Sequence, residues 1–110
     1  MAKNKAIAAV KFFEEQLKEN KVEISKIILF GSQARGSDTA ESDVDVVVIS
    51  SNFRNKSIFK RLAMIKDAEI ATIKKYMIPL DVIMMTPDEF ASETSLAAAY
   101  AKQGKAISAA

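Results

Sequence analysis

Three short runs rich in β-branched residues, separated by helix-patterned or polar stretches, predict an α+β (α/β) domain: a small mixed β-sheet covered mainly on one side by helices. Three observations carry this. Ile7, Val10, Phe13 and Leu17 recur at helical spacing ahead of the first run. A long helix-patterned segment lies between the second and third runs. The second run, Val46-Val47-Val48-Ile49, is apolar at successive positions, as a central strand covered on both faces requires.

Residues Ala6–Asn20 form the first predicted helix, with Lys11, Glu14, Glu15 and Lys18 away from the apolar face. Lys26–Phe30 is the first strand, stopped by Gly31. Gly31–Glu41 is rich in Gly, Ser, Asp and Thr and reads as a loop, with room for one helical turn at Ser32–Arg35. Asp43–Ser50 is the second strand, and Ser51–Ser57 is polar and turn-like.

Ile58–Tyr76 follows as a long helix with apolar positions at Ile58, Leu62, Ile65 and Ile73; its Lys60, Arg61 and Lys66 read as a solvated face. Pro79 opens a third strand, Leu80–Met85, a place where proline is tolerated. Thr86-Pro87-Asp88-Glu89 is a helix start, with a capping threonine, proline at the first helical position and Glu89 closing a capping box. The alanine-rich tail is expected to be helical to about Gln103. Gly104 stops it, and Lys105–Ile107 could add a short edge strand. The five methionines, Met84 and Met85 among them, read as core filler.

A chain of 110 residues makes one domain, 1–110, with a core that needs no staples. It has no cysteine and no histidine, which excludes disulfides, thiolate or imidazole metal sites, and Ser-His-Asp or Cys-His catalysis. Carboxylates, hydroxyls, amides and cations remain, and any bound metal should be a hard, oxygen-loving one such as magnesium or manganese. The net charge of +2 is too small to mark a dedicated nucleic-acid binder, so direct nucleic-acid binding is not expected. The N-terminus lacks a signal-peptide pattern and no run approaches membrane-spanning length. A cytoplasmic protein is expected.

The chemistry concentrates between Gly31 and Val48. In Ser42-Asp43-Val44-Asp45, alternation along a strand sends Asp43 and Asp45 to one face, where they repel unless a cation sits between them. A divalent metal answers that; a solvated strand end is the plainer alternative. Gly31-Ser32 follows a strand directly, so its amides and the Ser32 hydroxyl can cradle a phosphate, although the pair alone is equally an ordinary turn. Asp81 lies within the apolar run Leu80–Met85 and should be paired if buried, or face water if that strand is an edge. Arg35 can pair with a phosphate or hold the loop through Asp38 or Glu41.

Taken together, GSQARG, a five-residue spacer and SDVDVVV resemble the Gly-Ser…Asp-x-Asp signature of DNA-polymerase-β-type nucleotidyltransferases, in particular the minimal nucleotidyltransferases (MNT proteins). Asp81 matches the third carboxylate of that pattern, and Asp38 stands where members often carry a small residue. The resemblance implies a nucleotidyltransferase fold and an antitoxin that pairs with a HEPN-domain toxin. It implies transfer of a nucleoside monophosphate, AMP from ATP, to a hydroxyl of that partner, a tyrosine. By resemblance, Asp43, Asp45 and Asp81 are catalytic and hold two Mg2+ ions about 3.5–4 Å apart, with Mn2+ able to substitute. Gly31, Ser32 and Arg35 would bind the nucleotide. The extra helical domain of larger relatives is expected to be absent. Two other readings are a non-catalytic antitoxin that blocks the toxin by binding, and a small-molecule transferase of the aminoglycoside-modifying kind. Self-association or partner docking through the alanine-rich tail also fits its composition.

Overall fold

The structure is a computed structural model that describes residues 2–30, 44–92 and 105–109. The first helix, α1 (Ala2–Glu19), begins four residues earlier than its apolar pattern indicates, because nothing in the preceding residues breaks a helix. It buries Ala6, Ala9, Val10, Phe13 and Leu17 along one face. Its end is a Schellman turn: the Lys21 N–H donates to the Lys18 carbonyl and the Val22 N–H to the Leu17 carbonyl, each at 3.0 Å. Lys21 takes the left-handed position at φ 65°, where glycine is the usual residue.

Four strands pair in the order β3-β2-β1-β4. They are β1 (Lys26–Phe30), β2 (Val44–Ile49), β3 (Leu80–Met85) and β4 (Lys105–Ala109). Strand β1 runs antiparallel to both β2 and β4, whereas β2 and β3 are parallel. That last pair needs a long crossover, supplied by α2 (Ile58–Tyr76). The expected mixed sheet and the edge strand near Lys105 are both present.

Val44, Val46 and Val48 face α1 and α2 and join Phe13, Leu17, Ile27, Leu29 and Ile65 in the main core. On the other face, Ile28, Val47, Ile49 and Met85 form a smaller cluster, with Ile83 and Phe90 against it. Helices therefore cover mainly one side, and β2 is apolar on both faces for the reason expected of a central strand.

Three local expectations are corrected. The stretch after β2 is not simply polar: Ser51–Phe53 makes a 3-10 turn that drives Phe53 completely into the core. Ser50 Oγ accepts the Asn52 N–H at 3.1 Å, and Asn52 Oδ1 accepts the Glu23 N–H at 2.7 Å, tying this turn to the segment before β1. Arg61 is not on a solvated face. Its guanidinium donates to the carbonyls of Lys56 and Met84 and forks onto Glu89 at 2.8 and 3.1 Å. Met77, 78 % exposed, is not core filler, whereas Met84 and Met85 are.

Glu89 belongs to α3 (Pro87–Ala91), whose capping box with Thr86 forms as expected. The helix stops there instead of running on, because Ser92 is extended and its N–H returns to the Glu89 carbonyl. The remainder of the expected tail helix, residues 93–104, lies outside the described residues. No described helix is long and apolar enough to cross a membrane.

Candidate active site

Asp45 is the second residue of β2 and Asp81 the second residue of β3. The parallel register sets them directly opposite one another, starting from Val44 opposite Leu80 and a Val44 N–H to Pro79 carbonyl bond of 2.9 Å. Neighbouring strands lie about 4.8 Å apart, and residues opposite in a parallel pair project to the same face. That face is the lightly covered one, since Val44 and Val46 on either side of Asp45 point into the main core. Asp45 is half-buried and Asp81 is exposed. The strand carrying Asp81 is an edge of the described sheet, so what qualifies this carboxylate is its position opposite Asp45 rather than burial in an apolar strand.

Phe30, the last residue of β1, is the antiparallel partner of Asp45. Gly31, Ser32, Arg35 and Asp43 themselves lie outside the described residues.

A carboxylate not anticipated from sequence stands nearby. Glu69 of α2 has its pKa raised, first by burial and then by the charge of Asp81. Sequence offered no signal for it, because only the packing of α2 along β3 brings the two together. Among the described residues, no group of three or more Asp, Glu, His or Cys is placed to hold a metal. Asp45 and Asp81 offer the oxygen donors of two carboxylates on one face, a donor type that fits a hard divalent cation. An open cavity of about 620 Å³, lined by Lys18, Lys21, Val22, Glu23, Ile24 and Ser25, sits at the opposite end of the sheet, where the Ser25 N–H donates to the Ile49 carbonyl. Neither Asp45 nor Asp81 lines it.

Residues 10–104 match the family described as "Nucleotidyltransferase domain". Two Methanocaldococcus jannaschii proteins named "Putative protein adenylyltransferase" are similar in sequence. One is 37 % identical over 65 residues, covering 59 % of this chain and 44 % of that protein. The other is 50 % identical over 42 residues, covering 37 % and 42 %. The chain thus spans less than half the length of these curated relatives. Among solved structures, a nucleotidyltransferase from Sulfolobus solfataricus, itself named only as putative, aligns with a TM-score of 0.61 at 19 % identity, over 80 % of this chain and 73 % of that one. A toxin-antitoxin crystallised with AMP-PNP aligns with a TM-score of 0.61 at 20 % identity, over 100 % and 75 %. At these identities the likeness is one of fold.

Proposed function

This chain belongs to the nucleotidyltransferase domain family, and from that premise we propose that it transfers AMP from ATP to a hydroxyl of a partner protein, a tyrosine of a HEPN-domain toxin, and so acts as the antitoxin. The observation that carries the reading is the register of Asp45 against Asp81 on one lightly covered face. Strands distant in sequence bring two carboxylates together where like charges would otherwise disfavour each other. The similarity to proteins named as adenylyltransferases supports AMP as the transferred group. The fold shared with a toxin-antitoxin supports a toxin as the acceptor.

In this reading Asp43, Asp45 and Asp81 hold divalent magnesium, or manganese in its place. When bound, the metal neutralises triphosphate charge and lowers the pKa of the attacking hydroxyl. Gly31 and Ser32 cradle the β- and γ-phosphates through backbone amides and the serine hydroxyl, and Arg35 pairs with the phosphates. Asp81, exposed on the edge strand, accepts the proton of the acceptor hydroxyl as its oxygen bonds to the α-phosphorus. The bond from the α-phosphorus to the bridging oxygen breaks, and pyrophosphate leaves with that electron pair. An exposed proton acceptor suits a macromolecular acceptor, because a protein side chain must reach it from outside.

The test is incubation with labelled ATP, magnesium and the toxin, followed by mass spectrometry of the toxin. Gain of one AMP on a tyrosine, lost in Asp45→Asn, supports the proposal. Toxin inhibition that survives Asp45→Asn and Asp81→Asn with no added mass replaces it with a binding antitoxin. Transfer to an aminoglycoside without any protein acceptor replaces it with a small-molecule enzyme. The expected site of action is the cytoplasm.

A further inference from the structure

Helix α2 carries two seams. Ile65, Ala68 and Thr72 form the inner one, buried against the sheet and α1. On the other side, Phe59, Leu62, Lys66, Glu69 and Ile73 follow one another at spacings of three, four, three and four residues, the pattern of a coiled-coil seam. On this outer side Phe59, Leu62 and Lys66 are exposed, and Glu69 and Ile73 are half-buried. Every large apolar side chain exposed among the described residues lies on α2 or its C-cap: Ile58 at 55 %, Phe59 at 79 %, Leu62 at 43 %, Ile70 at 41 % and Met77 at 78 %. Phe59, Leu62, Ala63, Lys66 and Glu69 line a shallow groove of about 420 Å³. A patch of this kind is the signature of an interface.

We infer that the outer seam of α2 is a homodimer interface, with α2 packed antiparallel against α2 of a second copy about a two-fold axis between Asp67 and Ala68. The order of residues along the seam selects this occupant. A two-fold at that point sets Phe59 opposite Tyr76, Leu62 opposite Ile73, and Lys66 opposite Glu69 of the partner subunit, twice each by symmetry. The seam is therefore apolar at both ends and of opposite charge at its two central positions, complementary to itself when reversed. Parallel pairing would instead set Lys66 on Lys66 and Glu69 on Glu69, a repulsive arrangement. Closed two-fold association is also the commonest form of self-assembly.

Glu69 adds a second reason. It is half-buried on this side of α2 and takes part in no ion pair among the described residues. The ammonium of Lys66 from the partner subunit would supply the missing cation.

Sedimentation equilibrium of the full chain at micromolar concentration, without nucleotide or toxin, tests this independently of any transfer activity. The expected mass is twice the 12.0 kDa of one chain. Phe59→Asp should give the single-chain mass with an unchanged circular dichroism spectrum, since Phe59 is largely outside the core. Lys66→Glu and Glu69→Lys should each weaken self-association about tenfold or more, roughly 1.4 kcal/mol per tenfold. Mixing these two variants in equal amounts should restore dimer, because each then meets its opposite charge across the axis, an outcome that effects within one helix cannot produce. A wild-type chain that stays monomeric, a mixture no better associated than its components, or an α2 face covered only when another protein is added would each overturn the inference.

Discussion

Asp45 and Asp81 stand opposite one another on parallel neighbouring strands, thirty-six residues apart in sequence and one strand spacing apart in the sheet. The two carboxylates share one face of the sheet, where a bound cation would bridge them. Asp45→Asn and Asp81→Asn should each lower the rate of AMP transfer by about 10³-fold. Asp81→Asn, at an exposed position on the edge strand, should leave the melting temperature of the metal-free protein unchanged to within about 0.5 kcal/mol. A radiolabel transfer assay and scanning calorimetry on the same preparations check both halves.

The same pair makes stability sensitive to divalent cations. Titration with manganese in a calorimeter should release or absorb heat. Thermal unfolding should then shift upward by about 2.7 kcal/mol when the free metal is a hundred times its dissociation constant. Both responses should disappear in the Asp45→Asn/Asp81→Asn double variant, and chelation should abolish transfer without unfolding the protein.

Arg61 and Glu89 predict a pH effect. The fork between them, together with the Lys56 and Met84 carbonyls, fastens α2 to the end of β3 and to α3. Arg61→Ala should cost about 2 kcal/mol, since it also strands the Met84 carbonyl and removes a cation 5.9 Å from the Phe53 ring. The hydrogen bond from Arg61 is the main cause that lowers the Glu89 pKa below 4.5, so the folded value lies beneath the unfolded one. That contribution is complete above about pH 4.5 and is lost as pH falls through the folded value. Glu89→Gln should therefore be less stable than the parent by about 0.5 kcal/mol at pH 7, a modest figure because Glu89 is solvent-screened, and the gap should close in acid. Urea unfolding at neutral and acidic pH measures it.

Phe53 is fully buried although it sits in a short polar turn. Phe53→Ala should cost about 3–5 kcal/mol, comparable to truncating a core helix residue. Phe53→Leu, which refills most of the space, should recover much of that loss in the same denaturation experiment.

Much of the architecture was legible beforehand because it rests on short-range pattern. The spacing of Val10, Phe13 and Leu17, the unbroken Val46–Ile49 run, and the Thr86 and Pro87 signals each follow from period or capping chemistry within a few residues. The α2 boundaries, Ile58–Tyr76, emerged intact for that reason. The helix that opens at Pro87 ends at Ser92, because alanine content raises helix propensity without saying where the backbone turns away, and the rest of the expected tail helix lies outside the described residues.

Sequence alone determined the kinds of chemistry open to this protein: carboxylate and hydroxyl chemistry without thiol or imidazole, arranged in a Gly-Ser and Asp-x-Asp pattern. Tertiary structure alone decided which side chains meet. It set Asp81 opposite Asp45, turned Arg61 from an apparent surface charge into a clamp, and left Phe59 bare on a helix whose other face is buried. The physical reason is that periodicity specifies one face of an element at a time, whereas strand register and helix placement arise from packing between elements far apart in the chain.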